Sequence, residues 1–213
     1  MTDELLESLT TDLVLVSDWY VVRRLIIGAG VGAALSAALM VSTLGLRPDF
    51  RHVVSAGVFW LKQLYTLAFA LVAGFAAERL ARPAASARGR TAWLPVPFLV
   101  LAGIAAVQLA TTSPGGRMAT VMGISASICP WRIVFFAIPP SVGLIWAMRG
   151  LAPTRLRKAG AAIGLVAGGT GAFVYALHCS ENAALFVTVW YTLGMIACAL
   201  LGWALGPMLL RWR

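Results

Sequence analysis

Residues 159–205 read AGAAIGLVAGGTGAFVYALHCSENAALFVTVWYTLGMIACALLGWAL. Two long apolar runs, 159–177 and 183–205, are joined by only five residues, His178 to Asn182. Coiled as a helix, a run of about 20 residues spans the roughly 30 Å hydrocarbon core of a bilayer. Alternation is weak and Gly and Ala are abundant, which argues against β-barrel strands. The stretch therefore reads as a hairpin of two membrane helices with HCSEN as its turn.

The same pattern recurs N-terminally. Apolar runs at 25–44, within 53–77, at 93–110 and at 131–148 bring the count to six. The 213-residue chain is 60% hydrophobic and 12% charged, about half the charged share of a soluble domain. The expected fold is all-α: a polytopic membrane protein with a six-transmembrane-helix bundle. Residues 1–22 form a polar, acidic segment ahead of it, and 23–213 form the transmembrane domain. The acidic start is the opposite of a signal-peptide n-region, so no cleavable signal is expected.

Lys and Arg set the orientation, because they favour the cytoplasmic side. With the N-terminus in the cytoplasm, that side holds Arg23, Arg24, Arg79, Arg82, Arg88, Arg90, Arg149, Arg155, Arg157, Lys158, Arg211 and Arg213, twelve of the 17 basic residues. Arg47, Arg51, Lys62, Arg117 and Arg132 fall on the other side. Six spans return both termini to the cytoplasm, and the expected location is a bacterial inner membrane. The net charge of +9 is explained by these short clusters between spans. No nucleic-acid-binding motif accompanies them, so nucleic acid is excluded as a partner.

Gly28, Gly32 and Ser36, and likewise Gly160, Gly164 and Gly168, are spaced by four. Small residues at that spacing let membrane helices approach closely. The expectation is contacts within one bundle, with a homodimer interface as the alternative. Pro139-Pro140 should kink the fourth span.

With this topology two cysteines share the outer side. Cys179 lies in HCSEN. Cys129 lies in the SICPW stretch that ends the preceding loop, just before the fourth span, where Pro130 suits a helix start and Arg132 is near, a setting that makes a thiol reactive. In a bacterium that side is the oxidising periplasm. The pair is open to three readings. One is a static disulfide, which needs the Cα atoms within about 7 Å. Another is a redox-responsive pair. The third is a site for a soft divalent ion built from Cys129, His178, Cys179 and Glu181, with His52 as a further ligand. No cofactor is required. Cys198, inside the sixth span, reads as a small buried residue.

The N-terminal segment holds five of the eight acids: Asp3, Glu4, Glu7, Asp12 and Asp18. Leu5, Leu6, Leu9, Leu13 and Val16 share one helical face. Interfacial membrane helices usually carry basic polar faces, so a groove on a cytoplasmic protein fits better. Packing on the chain's own bundle is the other reading.

Over its full length the chain resembles the NrsF family of bacterial inner-membrane anti-sigma factors. The resemblance rests on TDELLESLTTDL, the six spans, SICPW, HCSEN and the apolar run with Trp190-Tyr191. It implies that the N-terminal segment, through Asp3, Glu4, Leu5, Leu6, Glu7, Leu9, Asp12 and Leu13, holds an extracytoplasmic-function (ECF) sigma factor. It also implies release when Cys129 and Cys179 meet oxidant or heavy metal. The chain departs from the family pattern in that VLVSDWYVV, rather than a proline and basic residues, follows Asp12-Leu13.

Two other classes compete with a regulatory binding protein. A small-solute or metal-ion transporter would use Lys62, Gln63, Gln108 and the proline kink, but the halves show no inverted repeat and midplane charges are scarce. A disulfide-generating membrane enzyme needs a CxxC pair, which is absent. The protein is therefore expected not to be an enzyme.

Overall fold

The structure is a computed structural model that describes residues 18–55, 57–82, 88–151 and 153–211. The N-terminal leucines and acids from Asp3 to Leu13 lie outside the described residues. Six apolar helices organise the chain: α1 (Asp18–Thr43), α2 (Gly57–Leu80), α3 (Pro95–Thr111), α4 (Cys129–Arg149), α5 (Leu156–Ala176) and α6 (Ala184–Leu209). There is no strand among the described residues. Five of these helices are long and apolar enough to cross a membrane; α3, with 17 residues, is the shorter sixth.

α5 is the central post, packed against α6, α2, α4 and α1. Its glycines explain how it serves so many neighbours. A Cβ on Gly160 would stand 2.1 Å from the Gly202 carbonyl oxygen, and one on Gly164 would stand 2.2 Å from that of Cys198. Gly169 meets α2 at Thr66 and Ala70, and Gly171 meets α4 between Ile133 and Ala137. Between apolar helices in lipid there is little hydrophobic drive, so close backbone packing supplies the cohesion.

The second small-residue stripe joins α1 to α4. Gly28 faces Gly143 and Gly32 faces Pro140, each too close for a side chain. Both stripes are thus filled within the chain. α4 breaks at Ala137 between helical halves Cys129–Phe136 and Ile138–Arg149. The cause is the proline pair: Pro140 has no N–H to give to the Phe136 carbonyl one turn back. That freed carbonyl instead accepts the Ser36 hydroxyl of α1 at 2.7 Å, fully buried. The expected kink is present, and its cost is met across the helix interface.

Contacts between helix ends define the two ends of the bundle. At one, Arg24 of α1 donates to the Ala147 carbonyl at 2.9 Å and lies 4.6 Å over the Trp146 ring, while Arg149 reaches the Leu209 carbonyl. Both ends of the described chain are here. The connections α1–α2, α3–α4 and α5–α6 gather at the other.

Candidate functional site

HCSEN lies at the end opposite Asp18 and Arg211, and α2 and two connections are pinned to it. Lys62 sits one turn and a half into α2 with its side chain fully buried. Its Nζ donates to the Cys179 carbonyl at 2.9 Å and to the Glu181 carbonyl at 2.7 Å. These carbonyls follow the C-terminus of α5, where a cation is favoured. Arg47, in the α1–α2 connection, donates to the Cys179 carbonyl at 3.4 Å and to Asn182 Oδ1 at 3.2 Å. Arg47 also pairs with Asp49, and its hydrogen bond holds that carboxyl below the usual carboxylate range.

Glu181 binds the turn before α4. Its Oε1 accepts the backbone N–H of Ile124 at 2.7 Å, that of Ser125 at 3.1 Å and the Ser125 hydroxyl at 3.1 Å. Gly123 makes room for it: its φ is +52°, and a Cβ there would lie 2.5 Å from Glu181 Oε2. His178 is held through Nδ1 by the Gly45 carbonyl at 3.0 Å.

Under this lattice the two outer cysteines share one core cluster. Cys129 is the first residue of α4 and is fully buried; Cys179 is 3% exposed. Each lies within electrostatic reach of the other and of Lys62. Both are free thiols. Aromatic rings enclose them. Tyr175 stacks on Phe136 at 6.2 Å and packs against Tyr191 at 6.0 Å and His178 at 6.2 Å. The Tyr191 hydroxyl lies beside the Cys179 sulfur without hydrogen-bond geometry. A π-helical segment, Val187–Tyr191, interrupts α6 here, and such insertions frequently mark functional sites.

Cys129 and Cys179 thus share one end, as the topology reading requires. Both thiols are buried there, in a cluster that includes Ala126 and Tyr191. Among the described residues no three His, Cys, Asp or Glu side chains gather as a metal site. His178 and Glu181 are engaged elsewhere and would have to leave Gly45 and Ser125 to join a thiol-bound ion. His52 stands exposed on the short helix Phe50–Val53. Cys198 is buried against Gly168, as read.

The residues linked above to transport have structural partners, with one exception. Lys62 holds the loop. Gln108 Oε1 accepts the Leu185 N–H at 3.0 Å and so caps α6. Gln63 is buried with both amide atoms unpartnered. Lys62, Arg47, Tyr175 and Tyr191 are site residues that the sequence reading missed. The signal for Lys62 was present, a cation inside an apolar run, which usually marks function or a fixed partner.

Residues 9–212 match the sequence profile described as NrsF, negative regulator of sigma F. The chain is 38% identical over 215 residues to the anti-sigma-F factor NrsF of Caulobacter vibrioides (strain NA1000 / CB15N), covering 99% of each protein. It is 37% identical over 190 residues to the probable anti-sigma-F factor NrsF of Azospira oryzae (strain ATCC BAA-33 / DSM 13638 / PS), covering 89% of each. No solved structure matches it. With the profile spanning nearly the whole bundle and the HCSEN lattice inside it, the chain belongs to the NrsF family of negative regulators of sigma F.

Proposed function

We propose that this protein is an anti-sigma factor of the bacterial inner membrane, regulatory rather than catalytic. All six helices cross the bilayer, and both termini are cytoplasmic. The N-terminal segment sequesters an ECF sigma factor through its leucines and acids. Oxidant or a soft heavy-metal ion acts at Cys129 and Cys179 on the periplasmic side and releases it. The observation that supports this most is the enclosure of both thiols beneath one loop, at the end of the bundle away from the chain termini. Joining or metallating two buried sulfurs must displace what covers them, and Lys62, Arg47 and Glu181 tie that cover to α2, α1 and α4. A route to α1 then exists: α4 starts at Cys129, and its broken turn is bonded to Ser36.

The test is a sigma-dependent reporter in cells carrying the full-length protein. Replacing Leu5, Leu6 and Leu9 with Asp should raise the reporter without stress. Replacing Cys129 and Cys179 with Ser should keep it low and unresponsive to oxidant and to cadmium-like ions. A thiol-free protein that still responds fully places the sensor elsewhere. A leucine variant that still represses moves the binding surface to the basic connections.

A further inference from the structure

The end of the bundle that carries Asp18 and Arg211 holds the start of α3. The other end of α3 is fixed to α6 through Gln108 and Leu185. A groove of about 760 Å³ opens between α2, α5, α6 and the residues Thr91 and Leu94 that lead into α3. Its floor is made of small and aliphatic residues, among them Ala73, Ala76, Ala162 and Leu165. Its mouth is basic: Arg155 and Lys158 line it, both exposed and neither paired with a carboxylate among the described residues. Trp203, also lining it, carries the Arg157 guanidinium 4.6 Å over its ring. Trp and Arg together at this level are the residues that settle at a membrane interface.

The groove is therefore amphiphilic in one direction, cationic at the membrane surface and apolar below. That is the shape and charge of a phospholipid with an acidic headgroup. The local helix chemistry points the same way. α5 begins at Leu156 with no side-chain cap and no acid in its first turn, and with Arg157 and Lys158 there instead. Cations at a helix N-terminus oppose the macrodipole, and a phosphate would satisfy both the free N–H groups and the side chains. The groove on the other flank of α2, about 710 Å³ between α1, α2 and α5, is apolar with Glu78 at its edge. It offers a tail somewhere to lie and an acidic head nothing to bind.

We propose that the groove between α2, α5, α6 and the residues leading into α3 is a binding site for an anionic phospholipid, its phosphate held by Arg155 and Lys158 and its acyl chains along the alanine floor. The site is independent of the sigma-factor reading.

The experiment is native mass spectrometry of the purified full-length protein in a nonionic detergent. It is titrated with phosphatidylglycerol or with phosphatidylcholine of the same acyl chains. A basic residue near an anionic surface contributes roughly fivefold in affinity, so two give about twenty-fivefold. Phosphatidylglycerol should bind more tightly by that order. Arg155→Gln with Lys158→Gln should bring the two lipids level, and Arg155→Lys with Lys158→Arg should keep the preference. Equal binding of both lipids to the unaltered protein overturns the proposal, as does a preference that survives the glutamine pair. Displacement of the lipid by inorganic phosphate alone would reduce the site to an anion pocket and also overturn it. If the preference emerges only after residues 2–12 are removed, the acidic segment of the same chain occupies the groove and the proposal fails.

Discussion

Lys62 shows how one residue can be misread until its neighbours are known. In sequence it is a charge within an apolar span, and such charges suggest a transport path. In the fold its ammonium is a fastener for two loop carbonyls. Each charge-assisted hydrogen bond is worth about 1.5–3 kcal/mol, while burying the charge costs several. Lys62→Met should therefore lower stability by about 2–4 kcal/mol net of that relief, read as a fall in the thermal midpoint in detergent. An unchanged midpoint would mean that the carbonyls find other donors. Gly123→Ala should cost at least as much as the positive-φ backbone strain, about 1–3 kcal/mol, with the Glu181 clash added. Gly123→Ala combined with Glu181→Ala should recover the clash and keep the strain. The Arg47–Asp49 pair carries a pH signature. Asp49 is lowered by Arg47, so its contribution is present above the ordinary carboxylate pKa and is lost as pH falls through the lowered one. The unfolding midpoint of Asp49→Asn should match that of the parent at low pH and fall below it near neutrality.

At the scale of helices, the α1–α4 seam is the element that joins the two ends of the bundle. Gly32→Leu would drive a side chain into the Pro140 backbone, where no rotamer can relieve it. Overpacking of that kind costs about 1–3 kcal/mol or more. Ser36→Ala removes only the partner of the Phe136 carbonyl, at about 1–3 kcal/mol for an unsatisfied buried group. If the seam transmits the signal, both variants should shift sigma-reporter output more than an equally destabilising change in α3, such as Gln108→Ala. Matching shifts would make the seam merely structural. Most of this level was legible beforehand. The fours-spaced small residues and the proline pair have fixed steric meanings, and both did what sterics require. Which helix each stripe would meet was not legible, because close approach depends on a partner on another helix, more than 100 residues away for Gly28 and Gly32. The thiol cover was hidden for the same reason. Glu181, His178 and Arg47 are bound to backbone groups, which carry no sequence signature.

At the scale of the whole molecule, the basic clusters and the HCSEN lattice mark opposite ends, and labelling can assign them to sides of the membrane. The native thiols are poor reporters because they are buried. In a background without cysteine, Ser180→Cys is exposed at the thiol end and Thr154→Cys is exposed at the terminal end. An impermeant maleimide should label the first in intact cells and the second only after permeabilisation; the reverse would invert the proposed orientation. Composition made the apolar bundle readable and the Lys and Arg distribution made its ends readable. α3 shows the limit, since an apolar run predicts a helix but not that it will be shorter than its five neighbours.

The bond between Ser36 and the Phe136 carbonyl has a consequence in time. The two residues are 100 positions apart. A ribosome adding roughly 5–20 residues per second takes about 5–20 seconds to cover that stretch. Until Pro140 and Gly143 are made, the glycine face of α1 lacks the partners it has in the finished fold. Cys129 is made only seven residues before Phe136, and Cys179 is made after it. Each newly made molecule therefore passes through a stage in which its N-terminus is present and its thiols are not. On the sensing mechanism proposed above, a cell making this protein quickly would hold a fraction of N-termini that no oxidant can address.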